Sequence, residues 1–255
     1  MITTQPGSED EGKGTRSNEG NQVGSIEGLE ALIPLEGVMV EQKVELIEVV
    51  TSYESKNEYD IKTLPGMSVF HVAEHSNICC RNCNGRRRGF TMSVTDFKGN
   101  TVAQFRRPCK CCCCNWMMCA SFYCCTDWIH IEVPPDNKVG KVRQRSSNKL
   151  SFNVNDENGR FAYISGPTCC GLGCCTACLR QKKFRVLWND GSELGMITKL
   201  FGGVVKEFLS DADTFRVTFP PELSVIRKMI LIGAVILIDF IAFEDNEGKK
   251  AQANN

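Results

Sequence analysis

From residue 37 onward, apolar and polar positions alternate in short runs with a period of two, the pattern of strands that bury one face. The runs fall at 37–42, 59–63, 68–73, 90–94, 101–105, 128–133, 139–142, 150–154, 161–164, 184–188, 194–198 and 214–219. A further run at 44–50 sets Leu46, Ile47 and Val50 on one helical face, yet its β-branched content favours a strand. Turn residues punctuate the runs and no strand-helix-strand rhythm appears, so the pattern predicts an all-β barrel or sandwich.

The alternation stops at residue 225. Residues 225–243 read VIRKMILIGAVILIDFIAF, with no polar side chain from Met229 to Ile238. This predicts one apolar helix about 28 Å long. Two homes suit it. A membrane span needs about 20 mostly apolar residues, whereas the uninterrupted core has ten, and Asp239 would cost ~2.5–3.5 kcal/mol at a bilayer centre. Alternatively, twelve strands close into a barrel whose lumen their own side chains do not fill, and a central helix fills such a can. If the helix spans, Arg227 and Lys228 before it and Glu244, Asp245 and Glu247 after it keep the N-terminal bulk cytoplasmic, a single-pass type II arrangement.

A weak internal repeat supports closure. Phe90-Thr-Met-Ser-Val-Thr-Asp96 with Gly99 and Val102 matches Phe184-Arg-Val-Leu-Trp-Asn-Asp190 with Gly191 and Leu194. In each copy a Cys-Cys cluster and a basic patch come first, and a turn with Asp and Gly joins two strands. The expectation is one mainly β domain: a twelve-stranded closed barrel over residues 29–244 around the helix 225–243. Residues 1–28 form a polar, disordered tail without an apolar leader, and 245–255 a polar tail.

Composition sharpens the chemistry. With 30 basic and 30 acidic residues the formal charge is zero, so no global field draws the chain to nucleic acid, and no nucleic-acid partner is indicated. The chain has 16 cysteines, gathered into three clusters: 79–83, 109–125 and 169–178. A reducing cytosol argues against a disulfide framework, which leaves metal or lipid. No nucleophile, paired-carboxylate or Gly-rich phosphate motif points to enzyme chemistry.

Several stretches together resemble the phospholipid scramblase family over residues 28–244. They are Gly28-Leu-Glu-Ala-Leu-Ile33, Val44-Glu-Leu-Ile-Glu-Val-Val-Thr51, Phe105-Arg-Arg-Pro108 and Ile164-Ser-Gly-Pro167. The set continues with Asp211-Ala-Asp-Thr-Phe215, Phe219-Pro220, Ile232-Gly-Ala234 and Leu237-Ile-Asp-Phe240. The resemblance implies a Tubby-like barrel around a hydrophobic helix. It also implies calcium-stimulated, ATP-independent movement of phospholipids between leaflets, at the plasma membrane with the bulk of the chain cytoplasmic, and palmitoylated cysteines. The family's helix corresponds to positions that include Met229, Ile232, Gly233, Leu237, Asp239 and Phe240.

Each candidate site has its own logic. Cys111, Cys112, Cys113, Cys114, Cys119, Cys124 and Cys125 alternate with Trp116, Met117, Met118, Phe122 and Tyr123. An apolar thiol-rich loop suits covalent palmitate, and one acyl chain anchors only marginally, so several make a stable attachment. Cys80 with Cys83, and Cys175 with Cys178, have zinc-knuckle spacing and form one zinc site if they meet in space; free thiols are the alternative. The resemblance makes 211–222 the calcium segment, with Asp211, Asp213, Phe215, Val217 and Glu222 as candidate ligands. Read alone, the alternation of Phe215, Val217 and Phe219 is that of a strand, and Arg216 stands where a calcium loop needs Gly. Arg86, Arg87 and Arg88 are candidates for anionic lipid headgroups. The rival to lipid transport is an acyl-anchored adaptor that binds lipids or signalling proteins without moving lipid.

Overall fold

The runs that alternate become strands because each has an apolar set to turn inward. A computed structural model describes residues 27–43, 56–76, 88–109, 126–133, 137–146, 149–167, 182–200 and 213–243. The strands are β1 (Gly37–Lys43), β2 (Glu58–Thr63), β3 (Ser68–His75), β4 (Phe90–Thr95), β5 (Thr101–Arg107) and β6 (Trp128–Glu132). They continue as β7 (Lys138–Ser146), β8 (Lys149–Asp156), β9 (Gly159–Ser165), β10 (Lys183–Trp188), β11 (Glu193–Leu200) and β12 (Thr214–Thr218). The run at 44–50 lies outside the described residues.

All twelve form one closed barrel in sequence order, and β1 closes it by pairing antiparallel with β12, Val40 opposite Phe215. Inward positions such as Val38, Ile61, Val72, Val94, Phe105, Val154 and Val217 are buried. The two repeat hairpins, β4–β5 and β10–β11, stand half a circumference apart. Their turns are built alike: Asp96 accepts N–H bonds from Lys98 and Asn100 at 2.8 and 2.9 Å, and Asp190 accepts one from Ser192 at 2.8 Å. Gly99 and Gly191 take left-handed conformations, φ 83° and 87°, that a side chain would strain.

The helix α1 (Val225–Ala242) fills the lumen. The Ser224 hydroxyl caps it, accepting from the Arg227 N–H at 3.4 Å, and Phe243 ends it. It packs chiefly against β6, β7 and β8. Gly233 permits that approach, since a Cβ there would stand 3.0 Å from Ile131 Cγ1. Of the two homes open to residues 225–243, the lumen is the one occupied. Among the described residues no helix is long and apolar enough to cross a membrane.

The charges at the start of α1 are met by the barrel's turns. Arg227 pairs with Asp156 at 2.7 Å and lies over the Phe161 ring at 4.7 Å. Lys228 is fully buried, and its ammonium donates to the carbonyls of Leu32, Ile33, Leu35 and Pro221 at 2.9–3.0 Å. The first three belong to the 3-10 turn Glu30–Leu32 and the chain after it, which close this end of the lumen. Burial pushes the Lys228 pKa down, against the nearby Glu222 carboxylate.

Candidate functional site

Antiparallel alternation sorts the connections to two ends. At the end where α1 begins, tight turns 64–67, 96–100, 157–158 and 189–192 join the strands. At the end where α1 finishes, the strand ends bracket longer connections, the short β7–β8 connection excepted. His75 and Phe90 bracket the first cysteine cluster, Arg107 and Trp128 the second, Ser165 and Lys183 the third. Leu200 and Thr214 bracket Asp211. All the candidate thiols therefore attach to one mouth of the barrel.

A layer of charged and aromatic groups occupies that mouth. Asp239, buried in the last turns of α1, accepts a hydrogen bond from the Tyr59 hydroxyl at 2.8 Å. Beside it Phe240 stacks on Phe90, ring centroids 4.4 Å apart. Arg88 lies 4.8 Å over the Phe240 ring and forks onto Glu74, Nε to Oε1 at 3.0 Å and Nη2 to Oε2 at 3.3 Å. Arg107 pairs with Asp127 at 2.7 Å, donates to the Arg88 carbonyl at 3.3 Å, and faces both Phe90 and Phe240. Arg88 with Glu74 and Arg107 with Asp127 survive burial because each charge meets an opposite one and hydrogen bonds.

Around the mouth a second group surrounds the cap residue of α1. The Lys182 and Lys199 ammoniums each lie 3.9 Å from the centroid of the Phe243 ring. Lys199 also pairs with Asp213. Burial first, then the Lys199 charge, brings the Lys182 pKa down to about 8 against the pull of Asp213. Both cations stand at the negative end of the helix dipole.

Set against the sequence expectations, these positions require three corrections. Arg88 does not reach headgroups: its side chain is fully buried and spent on Glu74 and Phe240. Phe215 and Val217 lie in β12, flanked by β1 and β11, with side chains in the core. The segment is thus a strand and not a curled calcium loop. Asp213 enters β12 at the cysteine-bearing mouth, whereas the exposed Glu222 follows its other end, so the two cannot share one ion. Among the described residues no group of three His, Cys, Asp or Glu side chains is arranged to hold a metal.

Other candidates fall elsewhere. Arg86, Arg87 and Asp211 lie outside the described residues, as do Cys80, Cys83, Cys111, Cys112, Cys113, Cys114, Cys119, Cys124, Cys125, Cys175 and Cys178. The strand pairs bracketing the two zinc-knuckle spacings, β3–β4 and β9–β10, stand on opposite sides of the ring. Met229, Ile232, Gly233, Leu237 and Phe240 all line the filled lumen. Sequence reasoning missed Tyr59, Glu74, Arg107, Asp127 and Lys199. A signal existed for two of them: Glu74 is in phase with inward Phe70 and Val72, and Arg107 with inward Ala103 and Phe105.

Comparison with known proteins accounts for the barrel as a whole. The Scramblase family model matches residues 17–245. Human phospholipid scramblase 2 is 37% identical over 85% of this chain and 70% of its own length. Human phospholipid scramblase 1 is 35% identical over 89% of this chain and 69% of its own. Human phospholipid scramblase family member 5 is 31% identical over 85% and 77%. No solved structure matches the chain.

Proposed function

Because this chain belongs to the scramblase family, we propose that it lets phospholipids pass between the leaflets of a membrane, down their gradient, without ATP and faster in calcium. The observation that carries this reading is the family match, which spans the whole barrel and α1. No covalent chemistry on the lipid is involved. The attachment of every cysteine cluster at one mouth supports palmitate anchoring there, with the bulk of the chain at the cytoplasmic face of the plasma membrane. The described residues make no cage for calcium, so no step is assigned to the ion.

A filled lumen constrains the route. α1 occupies the barrel's centre, so lipid would travel along the outside of the protein or in bilayer that it disturbs. The same observation favours a second reading, an anchored adaptor that binds lipids or signalling proteins and moves nothing. Reconstitution into vesicles with a fluorescent lipid confined to one leaflet separates them. Loss of asymmetry without ATP, faster in calcium, is the expected result. No acceleration over protein-free vesicles at any calcium level would leave the adaptor.

A further inference from the structure

The two strands that flank the second cysteine cluster, β5 and β6, and the neighbouring β7 share an outer wall of unusual charge. Register places Arg106 of β5 beside His130 of β6, and His130 beside Lys141 of β7. One row nearer the cysteine-bearing mouth, Trp128 stands beside Arg143. The Lys141 ammonium lies 5.4 Å and the Arg143 guanidinium 5.3 Å from the Trp128 ring. Lys138 and Arg145, both exposed, extend the wall toward either end. Among the described residues the carboxylate on this wall is Glu132, buried and paired with Arg106 at 3.2 Å. Lys138, Lys141 and Arg145 make no ion pair among the described residues.

The cations feel one another. Burial first, then Lys141, Lys138 and Arg106, hold the His130 pKa below its ordinary value. Lys141 itself is lowered by burial and by Arg143 and Lys138. In a chain of zero formal charge, such crowding is maintained at a cost to the fold and calls for an anion at the wall.

We infer that the β5–β7 wall binds anionic phospholipid headgroups and lays the barrel side-on against the leaflet to which the second cysteine cluster is attached. The inference rests on the reading above that the chain works at a membrane, and it names the surface that meets the lipid. Continuity selects a membrane over other polyanions. β5 ends at Arg107 and β6 begins at Trp128, so the wall and the thiol-rich segment 109–125 leave the same strand ends, with Cys109 exposed. Trp128, flanked by cations, is the residue type that settles at headgroup depth. A basic wall beside acyl chains supplies the second signal that stable anchoring requires.

The test uses the full chain after hydroxylamine treatment, so that no thioester-linked chain contributes. It is mixed with phosphatidylcholine vesicles, with and without one-third phosphatidylserine, and vesicle binding is read by sedimentation. Each lysine near an anionic leaflet strengthens binding about fivefold. Lys138→Glu with Lys141→Glu is therefore expected to weaken binding to the serine-containing vesicles by well over about 25-fold. Arg185→Glu with Arg216→Glu, exposed on β10 and β12, is expected to stay within about twofold of the parent. Lys138→Gln with Lys141→Gln serves if the reversed pair does not fold, with a loss of about 25-fold expected. Equal loss in the two walls, or parent binding no stronger to serine-containing than to plain vesicles, overturns the inference. A short DNA duplex that displaces the vesicles at equal phosphate would assign the wall to nucleic acid and overturn it too. Binding is read without lipid transport, so this surface can fail while transport stands, and the reverse.

Discussion

The two ends of the barrel solve the same problem differently. Where α1 begins, the lumen is closed by backbone: four carbonyls meet the Lys228 ammonium, and tight turns carry the chain from strand to strand. Where α1 finishes, it is closed by side chains, with Glu74–Arg88, Arg107–Asp127 and Tyr59–Asp239 laid over the Phe90 and Phe240 rings. A backbone closure suits an end that needs only to be shut. A charged closure keeps polar groups paired beneath a mouth to which long, thiol-bearing connections are attached, at the cost of making that mouth vulnerable to single substitutions.

Breaking the charged closure is expected to have the largest effect. Arg88→Met leaves Glu74 buried without its guanidinium and should lower stability by about 3–5 kcal/mol in a denaturant titration. Glu74→Leu added to it should recover most of the loss, and failure to do so would make packing, not charge, the cause. Next comes the backbone closure. Lys228→Met strands carbonyls that an ammonium now satisfies, and a loss of about 2–3 kcal/mol is expected. Methylammonium should return part of the stability of Lys228→Ala and none to the parent.

Smaller effects sharpen the contrast. Tyr59→Phe removes the hydroxyl that donates to Asp239 and should cost about 1–2 kcal/mol. Lys182 tests the mouth through pH. Its folded pKa of about 8 lies below the ordinary 10.5, so the unfolded chain binds more protons between those values and stability rises with pH across that window. Measured against Lys182→Met, the parent should gain about 1 kcal/mol there, water at the mouth screening the rest. At the turn end Phe97, 87% exposed, touches little. Phe97→Ser should change stability by less than about 0.5 kcal/mol.

Much of the barrel was legible because period-two alternation is a local property. Twelve runs became twelve strands, and the paired Asp-Gly turns anticipated hairpins half a ring apart. The helix was legible as an element but not in its location, since Asp239 can be satisfied by Tyr59 only once β2 has curled beside it. The site was less readable for the same reason. Whether Arg88 meets Glu74 or solvent, and whether β3–β4 lies near β9–β10, are questions of ring geometry that spacing along the chain does not carry. The basic wall shows this most clearly: Arg106, His130 and Lys141 are scattered in sequence and adjacent only through the register of three strands.

The position of α1 also has a consequence for biosynthesis. The element at the centre of the barrel is translated after all twelve strands, and β1 finds its second neighbour only when β12 appears. Since domains are made from the N-terminus at about 5–20 residues per second, the early strands wait on the ribosome with open edges and no filling. Closure must wait until β12 and α1 have both been made, around a helix that arrives as the walls do. A message truncated before Val225 therefore yields not a smaller protein but a sheet with an exposed apolar interior, which quality control would meet as an aggregate.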